Sequence, residues 1–205
     1  MTPLVVQITA SGVVPASEVA ARIERIAALP RASRERYIVQ LRDPELDSRA
    51  LWALAVDLRE RTRAAGCRFV CNDRLDIALA AGADGVHLGR RSVSVADARR
   101  VLGPSALVSV SAHAVADALA AARAGADMVL LSPIFASPGK GPPLGLGALA
   151  EARRALDGLS APRPVLVSLG GVDASVVSSC LEAGAEGVAA IRADLGSTLA
   201  EALGR

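Results

Sequence analysis

Aromatic side chains are almost missing from this chain: its 205 residues include one Trp, one Tyr and two Phe. A core that covers so many residues must then be assembled from Ala, Val, Leu and Ile, a composition that suits alternating strands and helices. Cysteine is scarce as well. Cys67, Cys71 and Cys180 are too few and too unevenly spaced for a disulfide framework, and no Cys/His spacing marks a zinc site. There is no excess of one charge: 23 basic against 21 acidic residues, spread along the chain, make no basic stripe of the kind that binds nucleic acid. No apolar run reaches about 18 residues, and the start "MTPLVVQITASG" has no basic region followed by a long apolar segment. The expectation is a cytoplasmic protein that neither spans a membrane nor is exported. No proline-rich or charge-rich linker divides the chain, which predicts one domain over residues 1–205.

What is present is a repeated phrase: "AGADGVHL" from Ala81, "AGADMVLL" from Ala124 and "AGAEGVAA" from Ala183, each after an alanine-rich helical pattern. Glycine can take the left-handed conformation that ends a helix, after which a short apolar run begins, so each phrase predicts a helix-to-strand junction. Further apolar runs start at Leu4, Tyr37, Arg68, Ala106 and Pro164, which brings the strands to eight. Helical stretches between them open on Ser or Asp, as at Ser17, Asp47 and Asp173, residue types that cap helices. Eight strand–helix units in one chain argue for a (β/α)8 TIM barrel, with an open doubly wound sheet as the other arrangement. The longest irregular stretch, "SPIFASPGKGPPLGLG" from Ser132, lies inside the alternation and reads as a functional loop.

Active sites of such barrels lie at the carboxyl ends of the strands. The polar residues there are Gln40 and Arg42, Asn72 and Asp73, Arg90 and Arg91, Ser111 and His113, Ser137 and Lys140, and Arg192. Cations dominate, and Asp73 is the one well-placed acid, so an anionic ligand is implied. In "LGGVDAS", Gly170 and Gly171 stand after a strand and before a helix, where free N–H groups and the helix dipole favour phosphate, and Ile191 with Arg192 would complete the cup. A Gly-Gly pair also makes a tight turn with no ligand. The loop around Lys140 is not a Walker sequence, since no Ser or Thr follows the lysine. It fits a cover that brings an ammonium to a phosphate, or an ordinary solvated lysine.

The blocks "YIVQLR", "CNDRLDIALAAGADGVHLG", "VSVSAH", "SPIFASPGKGPPLGLGAL" and "VSLGGVDASVVSSCLEAGAEGVAAI" together resemble the thiamine phosphate synthase and thiazole tautomerase superfamily, a (β/α)8 family. For a synthase the resemblance implies transfer of a hydroxymethylpyrimidine group from its diphosphate to the nitrogen of a thiazole phosphate, with Mg2+ and cationic side chains stabilising the departing diphosphate. It would place Gln40, Arg42, Asn72 and Ser111 around the pyrimidine diphosphate, Asp73 on magnesium, Ser137 and Lys140 in the covering loop, and Gly170, Gly171, Ile191 and Arg192 at the thiazole phosphate. Arg42, Lys140, Ser111 and His113 are the residues expected to carry the chemistry. The implied partners are small phosphorylated thiazole and pyrimidine substrates, and a homo-oligomer is compatible with the sequence.

Departures from the synthase pattern cluster at the anion sites. Pro44 replaces a lysine two residues after the arginine of "QLR". After "HLG" come Arg90, Arg91 and Ser92 in place of Gln, an acid and the Asp that would be a second magnesium ligand, and a hydroxyl replaces a carboxylate poorly on a hard cation. Gly139 replaces a loop hydroxyl, and Arg192 a serine. Three readings follow: a synthase in which Arg90 or Arg91 makes up the lost charge; a thiazole tautomerase-like isomerase with His113 as acid–base group; and a non-catalytic phosphate-ligand-binding paralogue. His87, Cys71 and Trp52 are expected in the core, and Asp76 as a cap or ion-pair partner at a helix start.

Overall fold

The structure is a computed structural model, and it describes residues 2–160 and 162–201. Eight parallel strands close into a barrel in sequence order: β1 Leu4–Ile8, β2 Tyr37–Leu41, β3 Arg68–Asn72, β4 Gly85–Leu88, β5 Leu107–Ala112, β6 Met128–Leu131, β7 Val165–Leu169 and β8 Gly187–Ala190. The helices are α1 Ala16–Ala27, α2 Arg31–Arg34, α3 Ser48–Ala65, α4 Leu75–Ala80, α5 Val95–Leu102, α6 Val115–Arg123, α7 Gly145–Asp157, α8 Val177–Glu182 and α9 Gly196–Glu201. The barrel is therefore the arrangement adopted, and the open sheet is excluded by the β1–β8 pairing, Leu4 to Gly187 through Gln7 to Ala190. No helix among the described residues is long and apolar enough to cross a membrane.

The three repeated phrases are junctions as expected: Gly82, Gly125 and Gly184 have φ of 62°, 82° and 100°. Capping is only partly as read. Asp47 accepts from Ala50 N at 2.8 Å and starts α3, whereas α1 has Pro15 at its N-cap position and no side-chain cap. Pro15 serves because its fixed φ suits a helix start.

Period-two alternation sorts the strand residues into two cores. Val6, Ile8, Ile38, Val70, Met128, Leu130 and Val167 fill the barrel interior, while Val5, Val39, Val129 and Leu131 face the helices. The parity holds to the strand ends, so Gln40 and Asn72 point into the barrel mouth, each two residues beyond an interior residue. Trp52 corrects the sequence reading: it lies on the outward side of α3 and is 39% exposed, because Leu51, Ala55 and Leu58 form the stripe that packs on the barrel. Cys71 is core, and burial pushes its thiol up to about 12.

Candidate active site

The carboxyl ends of the strands surround a chamber of about 330 Å³. Gln40, Arg42, Asn72, Asp73, Arg90, Arg91, Ser111, His113, Ser137, Lys140, Gly170 and Ile191 all line it. Gly171 and Arg192 line a smaller cavity of about 70 Å³ that shares Ser137, Gly170 and Ile191 with the chamber. Every site residue expected from the sequence thus meets at one end of the barrel. The two arginines part company: Arg90 also faces a groove between α5 and α6, and Arg91 a third cavity, of about 360 Å³, beside Arg42, Pro44 and Asp73. Arg42, Arg90, Arg91, Lys140 and Arg192 form no ion pair among the described residues.

The floor of the chamber is neutral. His87 is buried with both ring nitrogens engaged, Nδ1 with Ser109 Oγ at 2.9 Å and Nε2 with Ser111 Oγ at 2.8 Å. Burial pulls its pKa down to about 4 against a weaker opposing pull from Asp73, so the ring is neutral near pH 7. His87 is therefore a core residue that also fixes Ser111. Gln40 Nε2 donates to Asn72 Oδ1 at 3.1 Å, and Asn72 Nδ2 to Asp73 Oδ2 at 2.7 Å, a chain that orients all three side chains. His113 Nδ1 lies 2.8 Å from the carbonyl of Ser132, an acceptor, so Nδ1 carries a proton.

Asp73 adopts φ 60°, in the left-handed region that an L-residue enters only at some cost and that Asp tolerates better than most. Its Oδ1 accepts from Ser92 Oγ and from Gly89 N at 3.2 Å. Ser92 thus occupies the expected place beside Asp73 but contributes a hydroxyl that donates to the carboxylate. No group of three His, Cys, Asp or Glu suited to a metal occurs among the described residues. Among these residues Asp73 is the one carboxylate that lines the chamber, and a magnesium ion held there would take its remaining ligands from phosphate and water.

The small cavity has the form of an anion cup. Gly171 has φ 65°, and a Cβ there would meet Ala136 O at 2.6 Å and Phe135 Cβ at 2.7 Å; glycine is required for close packing on the loop after β6. The backbone N–H groups of Gly171, Val172 and Arg192 have no partner among the described residues. Contrary to the expectation from the sequence, no α-helix starts directly after these glycines. After the glycines the chain makes a three-residue 3-10 turn, Ala174–Val176, whose start is capped by the Asp173 carboxylate on Ser175 N at 2.9 Å. The carboxylate occupies the end of that short helix, which leaves the cup to loop N–H groups and Arg192.

Sequence reasoning missed the groups that hold these loops. Gln7, in the apolar run of β1, points outward; its Nε2 donates to Ile191 O at 2.9 Å, and its Oε1 accepts from Arg22 Nη1 at 2.8 Å. Arg22 of α1, 6% exposed, also donates to Ala193 O at 3.1 Å and Arg192 O at 3.0 Å, so a buried guanidinium clamps the loop after β8. Asp43, likewise buried, accepts from Thr9 Oγ1 at 2.7 Å, and Thr9 Oγ1 accepts from Arg42 N at 2.8 Å, which fixes the backbone that carries Arg42. A polar residue inside an apolar strand run was the available signal for Gln7. Asp76 meets its expectation by pairing with Arg74 at 2.6 Å.

Against known proteins, a family model described as thiamine monophosphate synthase matches residues 6–193. A thiamine-phosphate synthase of Methanoculleus marisnigri is 49% identical over 78% of this chain and 74% of its own length. One from Roseiflexus castenholzii is 42% identical over 82% of this chain and 72% of its own. Among solved structures, thiamine phosphate pyrophosphorylase from Pyrococcus furiosus superposes with a TM-score of 0.78 at 23% identity, covering 98% of both chains, a likeness of fold. With a match spanning nearly all of the barrel, the chain belongs to the thiamine monophosphate synthase family.

Proposed function

We propose that the chain is a thiamine-phosphate synthase, a transferase that joins the hydroxymethylpyrimidine group of its diphosphate to the ring nitrogen of thiazole phosphate and releases diphosphate. The observation that carries this reading is the charge layout: unpaired cations ring a chamber with a neutral floor, and a second, smaller anion cup opens beside it. Two anionic substrates could enter such a site with their phosphates apart and their uncharged rings together. In the transfer the C–O bond to diphosphate breaks, and the carbon forms a bond to the thiazole nitrogen. Negative charge grows on the leaving oxygens, where Arg42 and Lys140 would meet it, and preorganised cations at such a position are a large source of rate.

Arg91 replaces, in this reading, the cation that Pro44 removes, because it lines the cavity beside Pro44, Arg42 and Asp73, which Arg90 does not reach; Arg90 instead borders the groove between α5 and α6. Asp73 would hold magnesium, which when bound would neutralise charge on the departing diphosphate. Gln40 and Ser111, fixed by Asn72 and His87, would orient the pyrimidine, and Ser137, Gly170, Gly171, Ile191 and Arg192 would hold the thiazole phosphate. Neither the isomerase nor the binding-only reading gains a specific observation; the named relatives favour the synthase. The test is incubation of purified protein with both substrates, with and without Mg2+, and chromatographic detection of thiamine phosphate. Absence of product both with and without Mg2+ removes the proposal.

A further inference from the structure

Six buried side-chain polar atoms have no hydrogen-bond partner among the described residues, and one of them, Ser132 Oγ, belongs to a residue in the chamber wall. An orphaned buried hydroxyl is unusual enough to need a reason, such as an absent ligand. The parity of β6 supplies the direction. Met128 and Leu130 are interior residues and Val129 and Leu131 face the helices, so Ser132 points inward above Leu130. Its backbone is fully engaged, with N donating to Ala112 O at 3.0 Å and the carbonyl accepting from His113 Nδ1 at 2.8 Å, which leaves the hydroxyl as its uncommitted group. Ser109 and Ser111 on the neighbouring strand differ, since both hydroxyls are taken up by His87.

We propose that Ser132 Oγ donates a hydrogen bond to the pyrimidine ring of the diphosphate substrate and helps the site choose that ring. This rests on the synthase reading. Ser132 is buried, 3% exposed, whereas the cations of the rim are solvent-exposed, so the partner expected for its hydroxyl is an uncharged part of the ligand. Leu130 pairs with Ser111, so the Ser132 hydroxyl lies one inward step above Ser111, beside the group assigned to the pyrimidine. A nitrogen heteroaromatic ring offers the in-plane acceptor that such a hydroxyl needs.

The test compares the wild-type protein with Ser132→Ala and Ser132→Cys. Calorimetry measures the affinity for the pyrimidine diphosphate and for inorganic diphosphate, alongside steady-state kinetics and thermal midpoints. Ser132→Ala is expected to weaken pyrimidine diphosphate binding and lower its kcat/KM roughly tenfold, the scale of one hydrogen bond. Affinity for inorganic diphosphate should change by less than about twofold, and the midpoint should hold or rise, because an unpaired hydroxyl is removed. Equal weakening for inorganic diphosphate, or pyrimidine diphosphate binding by Ser132→Ala that matches the wild type, overturns the inference. A lower midpoint in both variants with a parallel activity loss also overturns it, as a purely structural role. If the wild type binds the pyrimidine diphosphate and forms no thiamine phosphate, the synthase reading fails while the Ser132 comparison is still decided by the titrations. A wild type that binds neither ligand ends both.

Discussion

The two rims of the barrel use the same residue type in opposite ways. At the amino ends of the strands, the acid of each repeated phrase pairs with arginine and accepts from a backbone N–H of the preceding strand. Asp84 takes Arg59 at 2.9 Å and Phe69 N at 2.7 Å; Asp127 takes Arg99 at 3.0 Å and Val108 N at 2.7 Å; Glu186 takes Arg153 at 2.8 Å, Arg163 at 2.7 Å and Leu166 N at 3.3 Å. At the carboxyl ends, Arg42, Arg90, Arg91, Lys140 and Arg192 stand without such partners among the described residues. Charge that is neutralised inside the protein fastens helix to strand; charge left open is available to a ligand. The acid in the repeated phrase therefore belongs to stability, and the proposed function rests on the cations at the opposite rim.

This contrast can be broken from either side. The largest effect is expected at the open rim: Lys140→Ala should lower kcat/KM by about a hundredfold or more, the range for losing a preorganised group that meets growing negative charge. Its thermal midpoint should stay within about 1 °C, since no ion pair is lost. Steady-state kinetics and a melting curve on one preparation decide the point. At the closed rim Glu186→Gln should do the reverse, removing about 1–2 kcal/mol of stability while kcat per folded molecule is unchanged. Burial alone would raise the Glu186 carboxyl, but the hydrogen bond from Arg163, the Leu166 N–H and the charges of Arg163 and Arg153 win and hold it below its ordinary 4.5. The sign follows: the unfolded chain takes up the proton first as pH falls, so the stability is present above pH 4.5 and is lost as pH drops through the lower folded value. Urea unfolding of wild type and variant should converge below that pH, and a gap that persists there contradicts the assignment.

Arg22→Ala probes a paired cation that serves the open rim. It should raise KM for thiazole phosphate roughly tenfold, with kcat reduced much less, because the clamp on Arg192 O and Ala193 O loosens the cup without touching the reacting atoms. Substantial recovery by Arg22→Lys would count against a need for the forked guanidinium. The smallest effect is expected for Ser92→Asp, alone or with Arg91→Glu: restoring a carboxylate beside Asp73 should shift the magnesium dependence of the rate a few-fold toward lower concentration. An unchanged magnesium titration would mean that Ser92 is not at the metal position.

Much of this was readable in the chain because the signals are local. A glycine that must take positive φ, followed by a short apolar run, marks Gly82, Gly125 and Gly184 wherever the rest of the chain goes. The strand-end rule then assigns Gln40, Arg42, Asn72, Asp73, Ser111 and Lys140 to one end of the barrel, and they line one chamber. Trp52 was misread because an apolar helix does not reveal which of its stripes is buried. Gln7 and Arg22 were missed because their partners lie across the β1–β8 seam, as with Gln7 Nε2 and Ala190 O at 3.3 Å. Ser132 looked like the first residue of a loop, and its meaning depends on the absence of a partner, which no local pattern contains.

By itself the sequence determined the alternation of strands and helices and the inventory of cations and glycines at the strand ends, since periodicity and backbone freedom are properties of neighbouring residues, while the choice of closed barrel over open sheet waited on the β1–β8 pairing. Only the tertiary structure decided which arginines are neutralised and which stay open, that Arg91 rather than Arg90 stands beside Pro44, and that the buried Ser132 hydroxyl has no partner among the described residues. Those outcomes depend on distances between residues far apart in the chain, and these distances are set when the barrel closes.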